Sequence, residues 1–156
     1  MKEFKLNQKT SIVAPEKLTQ PIEHVLSILS RDINKIAGYF PVWNEQKNNN
    51  EICLSYFDGG AESWRIEVQD NNVLQIFGAD DLGLIYGVLH FSRKYLGVDP
   101  FWFWADKEPE SQSEIIVSQE IESSQEKPVK NRGWFVNDEQ CLIDWNWSFP
   151  HNQLHF

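Results

Sequence analysis
The stretch from Val73 to Ala105 constrains this chain more than any other. Leu82-Gly83-Leu84-Ile85-Tyr86-Gly87-Val88-Leu89-His90-Phe91 reads as helix, yet it is apolar over most of its circumference. His90, Ser92, Arg93 and Lys94 form its polar strip. A helix apolar on so many sides is covered by neighbours rather than laid on a surface. Gly83 and Gly87 lie one turn apart on one face, and a glycine inside a helix costs about 1 kcal/mol against alanine. The expected compensation is a second backbone approaching closely. Gly97 and Pro100 supply the stop. Ahead of the helix, Val73-Leu74-Gln75-Ile76-Phe77 reads as a strand ending at Gly78. Behind it, Phe101-Trp102-Phe103-Trp104-Ala105-Asp106, if extended, sets Trp102 and Trp104 on one side of a further strand.

The remainder supplies the partners of that unit. Ser11-Ile12-Val13 is a short strand, and a helix over 21–37 is opened by Thr19 and Pro21 and closed by Gly38. Val25, Ile28, Leu29, Ile33 and Ile36 give it one apolar face. Glu51 to Tyr56 is a strand, and Asp58-Gly59-Gly60 turns the chain. Trp64 to Gln69 alternates apolar with polar, as a half-buried strand does. Asp70-Asn71-Asn72 is turn chemistry, so Val73 to Phe77 returns as a hairpin partner. The order is β-α-β-β-β-α. It predicts an α+β fold, a small mixed β-sheet with two helices, 21–37 and 81–96, on one face. Glu114 to Val117 is a brief further strand. Ser118 to Lys127 is almost entirely Ser, Gln and Glu and reads as connector. From Asn131 to Glu139 a new strand begins, with a polar end. The predicted organisation is an α/β domain over 1–110, a connector over 111–128, and the opening of a second domain over 129–156.

With 156 residues, 41% of them apolar, the chain holds enough for one core. A net charge of −9 leaves no basic stripe for nucleic acid. No apolar run approaches the roughly 20 residues that span a bilayer, so no membrane partner is expected. Met1 to Lys5 lacks a signal peptide's apolar core, which suggests a cytoplasmic protein or one already trimmed of its leader. Cys53 and Cys141 are too few for a disulfide framework and read as reduced structural thiols.

Most chemical motifs fall away on inspection. Gly78 to Gly83 has the glycine spacing of a phosphate-cradling loop, but Leu84-Ile85 stands where Lys-Ser/Thr is required. Asp80 or Asp81 there suits a helix cap. His24 and His90 lack a spaced ligand partner, and His151 and His155 lack the glutamate of a zinc motif, so no metal and no cofactor are expected. Five of the seven tryptophans lie at or after position 102. Trp102 and Trp104 are read as packing residues, with stacking on a sugar ring as the functional alternative. Asn137-Asp138-Glu139, at a strand end, is the constellation that suggests catalysis. Alternate residues on a strand face opposite sides. Asp138 and Glu139 therefore do not form an acid–base pair across one bond, which glycoside hydrolysis needs at about 5–9.5 Å.

Three blocks together resemble glycoside hydrolase family 115, the xylan α-1,2-glucuronidases. They are Gly78-Ala-Asp-Asp-Leu-Gly-Leu-Ile-Tyr-Gly-Val-Leu, Leu96-Gly-Val-Asp-Pro-Phe-Trp-Phe-Trp-Ala-Asp, and Asn131-Arg-Gly-Trp-Phe-Val-Asn-Asp-Glu. The first block is shared more loosely with family 67 glucuronidases and family 20 hexosaminidases. The resemblance covers about Trp64 to Trp145, and the tail from Cys141 to Phe156 departs from the family pattern. It implies that residues to about 110 are a non-catalytic auxiliary domain that orients a TIM barrel. Arg132 to Glu139 would be that barrel's first strand, truncated here, since 28 residues cannot close a barrel of about 250. By resemblance, Trp104, Asn137, Asp138 and Glu139 would contribute to sugar binding on a decorated plant polysaccharide. No residue of this chain is assigned as catalytic, because the family's catalytic carboxylates lie further along the barrel. The chain alone is therefore expected to be inactive, whereas its parent would be a glycosidase. The uncovered aromatics after position 128 leave packing back, disorder or self-association open. A stand-alone carbohydrate-binding or protein-interaction module is the alternative, in which the aromatic strand does the binding.

Overall fold
A computed structural model of the protein describes residues 2–43, 50–102, 105–118 and 121–124. The chain divides into two compact units, 1–125 and 126–156, and every described residue belongs to the first. In chain order the elements are β1 (Phe4–Leu6), β2 (Ser11–Val13), α1 (Gln20–Ala37), β3 (Glu51–Tyr56), β4 (Trp64–Gln69), β5 (Val73–Gly78), α2 (Asp81–Tyr95), β6 (Ile115–Val117) and β7 (Ile121–Ser123). The fold is α+β. One mixed sheet has the order β2-β3-β5-β4-β7, and β1 pairs with β6 in a separate two-stranded sheet.

The sheet follows from alternation. On β3, β4 and β5, Ile52, Leu54, Ile66, Val68, Leu74 and Ile76 are buried, and their neighbours in sequence are half-buried on the other face, with Gln69 exposed. β2, β3 and β5 run parallel, with α1 as the crossover between the first two, while β4 is antiparallel to β5. Asn71 and Asn72 take the left-handed backbone of the β4–β5 turn, at φ 63° and 59°. Asparagine tolerates that region better than most residues. α1 contributes Ile22, Val25, Leu26, Leu29, Ile33 and Ile36 to the core. Each fully buried aliphatic side chain contributes roughly 1.5–3 kcal/mol. Gly38, at φ 77°, ends the helix with its N–H on the Asn34 carbonyl.

The glycines of α2 have the role their spacing suggests. A Cβ on Gly83 would lie 2.2 Å from the Ser63 carbonyl oxygen, and one on Gly87 would lie 2.9 Å from Ile76 Cγ2. One on Gly78 would lie 2.2 Å from the backbone nitrogen of Leu84. The start of the helix therefore sits directly on the ends of β4 and β5.

Three features depart from the sequence reading. Phe101-Trp102 and Ala105-Asp106 form turns, not a strand. The Asp99 carboxylate accepts the Phe101 N–H at 2.8 Å, and the Trp102 N–H bonds back to the Asp99 carbonyl at 3.0 Å. Asp-Pro is turn-initiating chemistry, and here it overrides the β propensity of the aromatics. Within the supposed connector, Ile121–Ser123 pairs with β4. β1 carries no strand signal of its own; its three residues become a strand only by pairing Phe4 with Val117, far along the chain. The second helix starts at Asp81 and stops at Tyr95, with Gly97 at φ 71° just beyond.

Replacing Gly83 with alanine tests the helix–sheet contact. Alanine's helix propensity favours the variant by about 1 kcal/mol, but the clash with the Ser63 carbonyl is expected to leave it about 1–3 kcal/mol less stable. Gly60→Ala meets no atom within 4 Å and is expected to stay within about 0.5 kcal/mol of the parent. Urea unfolding of both variants measures the difference. Equal stability of Gly83→Ala and the parent would refute the contact.

Candidate functional site
Trp104, Asn137, Asp138 and Glu139 lie outside the described residues, as does Cys141. The described chemistry is concentrated where α2 begins and where β7 meets the end of α2.

At the first place the phosphate-loop resemblance is closed off from within. The Asp80 carboxylate accepts the Gly83 N–H through Oδ1 and the Glu62 N–H through Oδ2, both at 2.8 Å. The donors that an anion would need at this helix start are thus taken by a fixed carboxylate, which would also repel it. The reading of Asp80 as a helix cap agrees with this geometry. Asp81 makes a different set of contacts. Its Oδ1 accepts from Tyr56 Oη and its Oδ2 from Thr19 Oγ1, each at 2.7 Å. Thr19 occupies the cap position of α1 but donates to Asp81 instead of capping its own helix. The two helix starts and the carboxyl end of β3 are therefore tied by one carboxylate. Tyr56 and Thr19 hold the Asp81 carboxyl below its ordinary value. Burial, then Asp81, pushes the Tyr56 phenol up to about 12.

At the second place Glu122 of β7 stands opposite Ile66 in the register, on the helix-facing side of the sheet. Its Oε1 lies 3.0 Å from His90 Nε2 and accepts from Lys94 Nζ at 2.6 Å, while its Oε2 accepts from Tyr95 Oη at 2.7 Å. The His90 ring stacks on Trp64 with centroids 4.4 Å apart. His90 thus has a packing role, as its isolation on the helix suggests. No signal in the Ser/Gln/Glu-rich sequence around Glu122 marked this residue.

The other face of the sheet carries no helix among the described residues. There Arg65 lies over both Phe57 and Phe77, 5.1 and 4.8 Å from the ring centres, and pairs with Glu67. The Cys53 thiol, half-buried beside Glu51, is pushed up to about 11 by burial and then by that carboxylate, so it is a poor nucleophile. Among the described residues no group of three or more His, Cys, Asp or Glu is placed to hold a metal ion, and no helix is long and apolar enough to cross a membrane.

Neither a family model nor a curated protein sequence matches this chain. Solved structures do. BtGH115A, a family GH115 4-O-methyl-α-glucuronidase with specificity for decorated arabinogalactans, superposes with a TM-score of 0.68 at 21% identity, over 78% of this chain and 18% of that one. A GH20 β-N-acetylhexosaminidase from Streptomyces coelicolor A3(2) matches with a TM-score of 0.57 at 18% identity, over 77% of this chain and 23% of that one. The N-acetyl-β-hexosaminidase of Streptomyces plicatus matches with a TM-score of 0.57 at 17% identity, over 77% and 22%. The fold is shared with a part of each of these glycoside hydrolases. This chain spans about a fifth of their length.

Tyr56→Phe isolates the Asp81 tie. A folded carboxylate held below its ordinary value of 3.8 adds stability above that pH, and the contribution is lost as pH falls through the folded value. The variant is expected to lose about 0.5–1.5 kcal/mol at pH 7 and to show a shallower loss of stability between about pH 5 and 2. Thermal unfolding across that range measures both. A slope identical to the parent's would show that the hydrogen bond from Tyr56 does not hold Asp81.

Proposed function
We propose that this chain is the auxiliary α+β domain, with the first strand of the catalytic barrel, of a glycoside hydrolase related to family 115. The reading is carried by the fold likeness to BtGH115A over 78% of the chain, taken with the three sequence blocks that resemble that family. The substrate class is a plant polysaccharide decorated with 4-O-methylglucuronic acid. Xylan is the backbone that the sequence resemblance suggests, and decorated arabinogalactan is the substrate of the neighbour. In this proposal residues 1–110 orient the barrel without touching the scissile bond. Trp104 would stack on a sugar ring from the auxiliary side, and Asn137, Asp138 and Glu139 would bind sugar at the carboxyl end of Arg132 to Glu139, where barrel active sites lie.

Two features of the described domain support a scaffolding role. Its polar clusters at Asp80, Asp81 and Glu122 are occupied by the domain's own donors. The outward side of α2 presents Leu82 and Leu89, 47% and 38% exposed, with Ile85 and Tyr86 half-buried between them. A larger body seated on that stripe would cover the apolar side chains of α2 that the described domain leaves exposed.

The test is release of 4-O-methylglucuronic acid by the native gene product from glucuronosylated xylo-oligosaccharides and from decorated arabinogalactan. Activity on at least one is expected, and the 156-residue chain alone is expected to show none. In the active protein Trp104→Ala should raise KM about five- to tenfold with kcat little changed, as loss of about 1 kcal/mol of ring stacking implies. A native product inactive on both substrates, or indifferent to Trp104→Ala, would refute the assignment.

A further inference from the structure
β7 is three residues long and, among the described residues, lies at the edge of the sheet and pairs with one neighbour, β4. A strand of three residues makes few ladder hydrogen bonds of its own. Ile121 points away from the core at 61% exposure, so apolar burial does not fasten it. Glu122, whose side chain is 16% exposed, reaches across the sheet edge to α2 and meets His90, Lys94 and Tyr95 there. On β4 the charged neighbours are Arg65 and Glu67, which flank Ile66 on the opposite face and pair with each other. Ser124 adds two bonds, giving its N–H to the Trp64 carbonyl at 2.9 Å and accepting the Trp64 N–H on its hydroxyl at 3.1 Å.

We propose that Glu122 is a latch: one carboxylate, held by three side chains of α2, fastens β7 to the domain as a strap that opens separately from the core. Its release bares the β4 edge from Arg65 to Glu67, and an open edge is a template for strand pairing. Because charge fastens the strap, acid and salt loosen it while leaving the apolar core intact. Burial raises the Glu122 carboxyl, but Lys94, Tyr95 and His90 together outweigh it and hold the group below its ordinary value of 4.5. The latch is therefore closed above that pH and opens as pH falls through the lowered folded value. This inference rests on the clasp geometry and is independent of the glycosidase proposal.

Hydrogen exchange resolved to single amides tests it on the whole chain. In Glu122→Gln, which keeps the shape and removes the charge, the Ser124 amide is expected to exchange about tenfold faster or more. The Leu74 and Ile76 amides of β5 should keep the parent's protection. Lowering the parent stepwise from pH 7 to well below 4.5, with intrinsic rates corrected, should open the same Ser124 amide, and Glu122→Gln should show no such pH response. Lys94→Met should give a smaller effect in the same place. Unchanged exchange at Ser124 in Glu122→Gln would overturn the latch. So would an equal rise at Ser124, Leu74 and Ile76, which would make β7 part of the cooperative core.

Discussion

The close approach of α2 to the ends of β4 and β5 is the constraint on which the rest of the domain depends. Gly78 and Gly83 leave no room for a side chain between the helix start and the strand ends, and at Gly87 the next turn rests on Ile76. The Ser63 carbonyl that would meet a Cβ on Gly83 also accepts the Ala79 N–H at 2.9 Å. One oxygen thus helps to join the end of β5, the loop before β4 and the first turn of α2. This proximity lets Leu84, Val88 and Phe91 reach the layer formed with α1 and the sheet. It also sets where Asp80 and Asp81 point, one closing the loop before β4 and the other tying the helix starts together.

The domain's ends are fastened by polar groups, its middle by apolar burial. At the amino ends of the strands Asn72 behaves like a strand residue toward Lys5. Its Oδ1 accepts the Lys5 N–H at 2.6 Å and its Nδ2 donates to the Lys5 carbonyl at 2.9 Å. Asn50 joins that amide to Asn7 and Thr10, which links the small β1–β6 sheet to the larger one. At the carboxyl ends Asp81 collects Tyr56 and Thr19, and at the β7 edge Glu122 collects three side chains of α2. A buried or half-buried polar group is tolerable when its partners are supplied. In the proposed parent enzyme, that internal satisfaction would fit a scaffold better than a reaction centre, where groups are held ready for a substrate. The uncovered stripe of Leu82 and Leu89 then becomes the feature through which the proposed parent enzyme would use the domain.

The helices, the three long strands and the hairpin were legible because each is marked by local chemistry. Val25, Leu29, Ile33 and Ile36 carry helical spacing, Trp64 to Gln69 alternates, and Gly38, Gly97 and the Asp70-Asn71-Asn72 turn punctuate the chain. The misread segments are short ones whose state depends on a distant partner. Phe4–Leu6 and Ile121–Ser123 are strands only because β6 and β4 offer free edges, and three residues carry too little periodicity to announce that. The aromatic run failed for another reason, since a local Asp99 turn outweighed the propensity of Phe101 and Trp102.

The candidate sugar-binding residues, Trp104 and Asn137 to Glu139, remain expectations from sequence resemblance, while the site chemistry of the described domain came from tertiary structure. Sequence alone determined that α2 must be covered and that something must lie against Gly83 and Gly87, because apolar surface and missing side chains are local properties. Only the folded chain decided what lies there: the Ser63 carbonyl and Ile76 on the sheet side, with Leu82 and Leu89 left exposed on the other. Likewise a glutamate in a polar stretch is unremarkable until Ile66 sets the register of β7 and turns Glu122 toward His90, Lys94 and Tyr95. The physical reason is that charge and hydrogen bonding act over a few ångströms, and chain order does not give that distance.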